Sequence, residues 1–298
     1  MAGSVAPTAL ARKQQARART SDWRRRLGSL VLPGYTHLVM LWLFAPIIVM
    51  VIFGFNDTHG RLNLVWSGFT LRWFKDPFGV TALTNAVYTS LLTATIGAFI
   101  STVLGTMIAL ASHRYSFRGK GLLDAIMVMN IAASEVVMGA GLLTLFLAGN
   151  VPLGPVTIVM AQVMFSIPFV AITVRARLVG FDRSLEEAAQ DLGARPAKVF
   201  WRITLPLILP AVLAGWLLAF TLSWDDLVIS QFVAGPGSST LPMVIFSKVR
   251  LGVSPDVNAL ATLMVSVVAS GVVVATVWMR HRQKRRERDM QLAAATNL

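Results

Sequence analysis

The stretch Asn85–Ser112, NAVYTSLLTATIGAFISTVLGTMIALAS, carries no charge. It exceeds the about 20 mostly apolar residues that a helix needs to cross the hydrocarbon of a bilayer. Five more stretches of this kind flank it: His37–Phe55 before it, then Leu122–Ala148, Pro155–Val174, Leu207–Val233 and Ala259–Met279. Together they predict an all-α integral membrane protein with six transmembrane helices. Composition agrees. The 298 residues are 55% hydrophobic and 14% charged, against about a quarter charged in a soluble domain. A single soluble core cannot absorb that much apolar sequence, so lipid must be the solvent for much of the chain. The 13 prolines and 22 glycines fit helices with kinks and breaks, which bilayers tolerate. With no cysteine in the chain, disulfides, zinc–thiolate sites and iron–sulfur clusters are excluded. The four histidines, His37, His59, His113 and His281, have no metal-ligand spacing.

The net charge of +13 could suggest nucleic acid, but the basic residues gather in short segments beside the apolar spans. They lie between Arg12 and Arg26, Arg114 and Lys120, Arg175 and Arg202, and Arg280 and Arg288. Of the 27 basic residues, the opposite side receives only Arg61, Arg72, Lys75, Lys248 and Arg250. By the positive-inside rule both termini are cytoplasmic. This divides the chain into a basic N-terminal segment 1–35, a membrane domain 36–280 with a large cytoplasmic loop 175–206, and a basic tail 281–298. No small-residue cleavage site follows the first apolar stretch, so residues 1–35 do not read as a cleaved signal. Gly97, Ser101, Gly105 and Ala109 stand four apart on one helix face. Such a face lets backbones approach closely, either at a subunit interface or within the chain.

The most informative loop segment is Ser184–Pro206, SLEEAAQDLGARPAKVFWRITLP. Ser184 and Glu187 have the spacing of a capping box and predict a helix start. Ala188 and Ala189 favour helix, Gly193 suits a C-terminal cap, and Pro196 suits the first turn of a second helix. The expected unit is a short helix, a glycine turn and another short helix at the membrane surface. The small Ala pair would let the first helix press into a groove on a partner.

The pattern E-A-A, three residues, G, nine residues, I-x-L-P is carried without a gap by Glu187, Ala188, Ala189, Gly193, Ile203, Leu205 and Pro206. It resembles the signature loop of binding-protein-dependent ABC importer permeases. The segment from Asp182 to Thr262 is similar to the polyamine (spermidine/putrescine) importer permeases, in particular the second permease of putrescine-type systems. The resemblance implies a type I ABC importer permease architecture in a bacterial inner membrane. It makes Glu187, Ala188, Ala189 and Gly193 the ATPase-coupling residues. It implies as partners a second permease of different sequence, a cytoplasmic ATPase dimer and a periplasmic or extracellular substrate-binding protein, with lipid around the spans and no nucleic acid. This chain would bind no cofactor, since ATP and magnesium belong to the ATPase. The chain itself carries no G-x-x-x-x-G-K-[ST] phosphate loop and no nucleophile–base constellation, so it reads as a non-catalytic transport subunit. The alternatives are an importer for another small solute and an ion-coupled secondary transporter. No internal repeat supports the second.

Charges within the membrane are costly and tend to face a pathway or a partner. Counted along a straight helix from Leu207, Asp225 and Asp226 lie about 27 to 29 Å up, near the outer boundary. Glu135 lies about 20 Å above Leu122 by the same count. Carboxylates at two depths suit an organic cation, and Glu135 reads as a pathway group ahead of a buried carboxylate held by a neighbouring helix. Adjacent positions point about 100° apart, so one of Asp225 and Asp226 is expected to face the pathway and the other to hold a helix end or loop. Trp224, with Phe220 and Trp216, could add cation–π contacts, although an interfacial aromatic belt is the first reading of the tryptophans. Asp124 reads as a solvated ion pair near Arg118 and Lys120. The segment AGPGSST, Ala234–Thr240, reads as a reentrant or surface loop, with contact to a binding protein as its functional alternative.

Overall fold

A computed structural model describes residues 33–58, 63, 65–75, 81–252 and 255–296. The basic segment up to residue 32 and Arg61 lie outside the described residues. Among those described, the structure is helical, and the only extended pairing is an isolated bridge between Asn56 and Phe69. Five helices are long and apolar enough to cross a membrane: α1 (Pro33–Gly54), α3 (Thr81–Arg114), α6 (Pro155–Leu178), a helix running Pro196–Trp224, and the first part of α12, Pro255–Gln283. A bent pair, α4 (Lys120–Ala132) and α5 (Glu135–Ala148), makes a sixth if it counts as one span.

The chain forms two units. One comprises residues up to Pro77 together with Val253–Leu298. In it the end of α1 lies against the start of α12 (Pro255–Thr296): a Cβ on Gly54 would stand 2.8 Å from Thr262 Oγ1. The segment after α1 has no sheet to satisfy its backbone, and asparagine side chains do so instead. Asn56 Oδ1 accepts from the Ser67 and Gly68 amides, while Asn56 Nδ2 donates to Asn63 Oδ1 and the Val65 carbonyl. Phe55 stacks between Phe69 and Phe74, and Arg72, which opens the short α2 (Arg72–Lys75), pairs with Asp57 at 3.3 Å.

The other unit, Phe78–Gly252, is built around α3, α6 and α9 (Leu205–Trp224). Its core contains Ala98, Ala109, Val170, Val174, Ile208 and Ala219. Val170 of α6 packs against a glycine of each of the other two helices. A Cβ on Gly105 would meet it at 2.8 Å and one on Gly215 at 3.1 Å. The four-residue tape Gly97, Ser101, Gly105, Ala109 is wholly buried against α6 and α9, so the close approach it permits is within the chain and not at a subunit interface. A second core joins α5, α6 and α10 (Val228–Val233) through Leu142, Phe146, Ile158, Ile229 and Val233. The helix α11 (Leu241–Leu251) starts where the Ser90 hydroxyl accepts the Leu241 amide at 2.7 Å.

The structure corrects several expected elements. The stretch Leu122–Ala148 is not one rod: Ala133 and Ser134 adopt extended backbone, and the chain turns by 112° between α4 and α5. Glu135 therefore does not stand on a straight helix above Leu122. The stretch Leu207–Val233 also breaks, at residues 225–227 between α9 and α10. At its other end the second short loop helix, α8 (Pro196–Val199), does not stop at the surface. It passes through a widened π turn, Phe200–Thr204, straight into α9. The widening precedes Pro206, whose ring would otherwise crowd the carbonyl four residues back. Asp124 does form an ion pair, but with Arg175 of α6 at 2.7 Å rather than with Arg118 or Lys120.

Candidate functional site

Two places on the second unit carry the chemistry, one at each end of the helix Pro196–Trp224. Its 29 residues set them about 43 Å apart along the axis.

The first place is the loop helix α7 (Ser184–Asp191). Ser184 is its first residue, not its cap, and the expected Ser184–Glu187 capping box is not formed. Arg183 occupies the cap position without a side-chain bond. The orphan Ser184 amide is instead taken at 2.9 Å by Asp182 Oδ1, and that hydrogen bond holds the Asp182 carboxyl below the usual carboxylate range. The other end follows the sequence. The Gly193 amide donates to the Gln190 carbonyl and the Ala194 amide to that of Ala189, the two bonds of a Schellman motif. That motif needs the left-handed φ of +80° at Gly193, where a Cβ would be strained. Arg195 is extended and Pro196 opens α8.

Glu187 and Ala188 are exposed and Ala189 is half-buried. Leu185 is also exposed, and Leu192 at the tip is 90% exposed. The face offered outward is thus a small-residue helix edged by two bare leucines. Glu186, one position before Glu187, points the other way. It is only 8% exposed and accepts hydrogen bonds from Arg114 Nη2, at the end of α3, and from the Thr204 hydroxyl in the π turn. An open pocket of about 250 Å³ beside it is lined by Arg114, Tyr115, Arg183, Glu186, Glu187 and Gln190.

The second place is where both broken helices break. Asp226 heads α10: its Oδ1 accepts the Ile229 amide at 3.1 Å, and its Oδ2 accepts the Ser230 amide at 3.0 Å and the Ser230 hydroxyl at 2.6 Å. A carboxylate at a helix N-terminus also meets the favourable end of the dipole. Asp225, its neighbour, ends α9 and is exposed. Glu135 is the first residue of α5 and lies within electrostatic range of Asp226. Further along the same two helices, Gly139 packs on Phe232 so tightly that a Cβ there would sit 2.5 Å from the ring. The helices α5 and α10 therefore run in parallel, with their N-termini and acids at one level. Among the described residues none of these three carboxylates pairs with a Lys or Arg.

Trp224 is half-buried above this break. It is the end of a stacked column, Trp216 on Phe220 at 5.8 Å and Phe220 on Trp224 at 5.8 Å. Eight residues of helix carry the column through about 12 Å, so it is not a belt at one height. Trp216 and Phe220 lean on the three-helix core. The loop Ala234–Thr240 is anchored at Ser238 and Thr240, which are buried, while Pro236, Gly237 and Ser239 are exposed; just before it the Thr157 hydroxyl donates to the Val233 carbonyl at 2.7 Å.

Four participants were not among the residues expected from sequence. Glu186, Arg114 and Thr204 meet only in three dimensions, although Glu186 stands beside a motif residue. Gln162 is a buried amide in the apolar α6, and its Nε2 donates to the Ser223 carbonyl at 3.1 Å, closing one of the open carbonyls at the end of α9. A lone amide in a membrane span was the available signal.

Known proteins match this architecture. The family model for the binding-protein-dependent transport system inner membrane component covers residues 101–288. The putrescine transport system permease protein PotI of Escherichia coli K12 is 42% identical over 280 residues, covering 92% of this chain and 96% of that one. The spermidine/putrescine transport system permease protein PotC of the same strain is 37% identical over 265 residues, covering 89% and 100%. A solved bacterial ABC transporter involved in the import of the acidic polysaccharide alginate has a TM-score of 0.65 at 18% identity, over 85% of this chain and 96% of that one; this likeness shows the fold alone. The chain is a multi-pass membrane protein belonging to the family of binding-protein-dependent transport system inner membrane components.

Proposed function

We propose that this chain is one of two membrane subunits of an ATP-driven importer, and that it passes polyamines such as putrescine and spermidine into the cytoplasm. The observation that carries the substrate class is the helix break. There the exposed Asp225, together with Asp226 and Glu135, stands without a basic partner among the described residues, beside a half-buried aromatic column. An alkyl diamine needs negative charge at its ends, and aromatic faces attract ammonium groups. The names of the two relatives above point to the same cargo. In this reading Asp225 and Trp224 meet the passing cation. Glu135 adds negative field, and Asp226 mainly holds α10 in place.

ATP is hydrolysed by a separate ATPase dimer. A loaded binding protein docks on the outside, and a second permease of different sequence completes the pathway. The outward face of α7, with Glu187, Ala188, Ala189 and the turn at Gly193, docks on the ATPase. It has exposed leucines and little packing of its own, as a surface awaiting a partner should. The test is reconstitution with the partner permease, ATPase and binding protein, followed by ATP-dependent uptake of radiolabelled putrescine. We expect uptake in the full complex and competition by spermidine. Uptake without the ATPase, driven by membrane potential, would favour a secondary transporter. An ATP-hydrolysing complex that ignores putrescine would remove the polyamine assignment. Substituting Glu187 or Gly193 should leave the protein inserted but separate hydrolysis from uptake.

A further inference from the structure

An eight-residue surface helix normally holds to its domain by an apolar stripe. The helix α7 has none, and its one buried residue is a carboxylate, Glu186. That carboxylate is where three elements converge. Arg114 Nη2 comes from the last residue of α3, and the Thr204 hydroxyl comes from the last residue of the π turn that leads into α9. The two donors also approach each other, with Arg114 Nη2 3.2 Å from Thr204 Oγ1. Thr204 is fully buried, and the three residues are distant in sequence. A second strand of the same attachment runs from Arg183, just before α7, to the His113 carbonyl at 3.2 Å. Leu185 of α7 and Leu192 at its end are exposed, so the buried side chain that ties this helix to the end of α3 is the Glu186 carboxylate. Charge-assisted hydrogen bonds are short, directional and resist sliding, which an apolar contact does not.

We propose that the Arg114–Glu186–Thr204 cluster is the positioning lock through which movement of α7 is delivered to α3 and α9. This rests on the reading of α7 as the helix that docks on the ATPase, but assigns the transmission to Glu186 rather than to the motif residue Glu187. Glu187 faces the partner, and Glu186 ties the helix to its own chain. Widened turns recur at functional positions in helices, and here one carries the Thr204 end of the lock.

The experiment uses the full chain in its complex with partner permease, ATPase and binding protein. Glu186→Gln, Arg114→Gln and the double exchange Glu186→Arg/Arg114→Glu are compared for three quantities: ATPase copurification, ATP hydrolysis and putrescine taken up per ATP hydrolysed. Each single variant should copurify normally and hydrolyse within about twofold of wild type while uptake per ATP falls at least tenfold. The double exchange should recover a large part of that ratio, which a merely structural defect would not do. An unchanged ratio in both single variants, or a loss that the exchange fails to restore, overturns the lock.

A readout independent of cargo keeps the test open should the complex not carry putrescine. The chain has no native cysteine, so in a complex assembled with cysteine-free versions of the partners, spin labels at Met107→Cys on α3 and Gln190→Cys on α7 report on this pair alone. The wild-type complex should give one narrow distance that shifts as a unit on ATP binding, and Glu186→Gln should broaden it. A distribution equally narrow in Glu186→Gln rejects the lock. Failure of the docking reading looks different: Glu187→Arg would then leave ATPase copurification intact.

Discussion

The two acid pairs of this chain, Glu186–Glu187 at one end of the long helix Pro196–Trp224 and Asp225–Asp226 at the other, follow the same division of labour. In each pair one carboxylate is enclosed by its own chain and the other is exposed. Glu186 is held by Arg114 and Thr204, and Asp226 by the first turn of α10; Glu187 and Asp225 face outward. The cause is geometric. In α7 neighbouring helical positions diverge by about 100°, whereas Asp225 and Asp226 stand in the break between α9 and α10, where Asp226 turns onto the first turn of α10 and Asp225 stays exposed. The difference lies in what encloses the inner member. Glu186 is matched by an opposite charge from a distant element, whereas Asp226 is matched by nearby amides, hydroxyl and helix dipole. The inner acid of one pair thus links elements, and that of the other ends one.

Four experiments would break or sharpen this division. Asp225→Asn should produce the largest change: putrescine uptake by the reconstituted complex falls tenfold or more, with the melting temperature of the detergent-solubilised protein unaltered. Uptake unaffected by this change would take Asp225 out of the pathway and leave the pair with no exposed functional member. Asp226→Ala should do the reverse first, lowering stability by about 1–2 kcal/mol because it removes the capping acceptor of α10. Thermal unfolding followed by helical signal checks this, and a stability equal to wild type would mean the capping bonds are dispensable. Gly193→Ala should cost about 1 kcal/mol, since only glycine tolerates the left-handed turn without penalty. Faster proteolytic nicking between α7 and α8 is the expected sign, and an unchanged nicking rate would count against the strained-turn account.

The smallest effect concerns Asp182. Its carboxyl is held below the ordinary range by the Ser184 amide, so its contribution is present above the unfolded value, near pH 4, and is lost as pH falls through the lower folded value. Hydrogen exchange at Ser184 should therefore be insensitive to pH-induced fraying at neutrality and rise a few-fold in Asp182→Asn. Equal protection in the variant would mean that this bond does not hold the start of α7.

The existence and rough positions of the spans were legible because transfer into lipid is decided residue by residue and summed over a window. The glycine end of α7 and the proline start of α8 were legible for a related reason. The demands of Gly193 and Pro196 are backbone demands, met or refused locally. The start of α7 was misread because two nearby acceptors competed for one amide, and Asp182 reaches Ser184 where the expected box needed Ser184 to lie outside the helix. The breaks at 133–134 and 225–227 contain neither proline nor glycine, so no local rule marks them. Asp124 was rightly read as paired, but its partner Arg175 is 51 positions away, and nearness in sequence favoured the wrong bases.

By itself, then, the sequence determined that this is a helical membrane protein, which family its loop resembles, and which residues lie on the tape and in the loop turn. Those properties come from side-chain hydrophobicity, helix period and backbone freedom, all short-range. Only the tertiary structure decided that the tape packs inside the chain and that α5 and α10 align their acids. It also decided that the inner glutamate of α7 meets Arg114 and Thr204. Such meetings depend on how helices cross, and a crossing is set by the joint packing of residues such as Gly105, Val170 and Gly215, which no single stretch of chain contains.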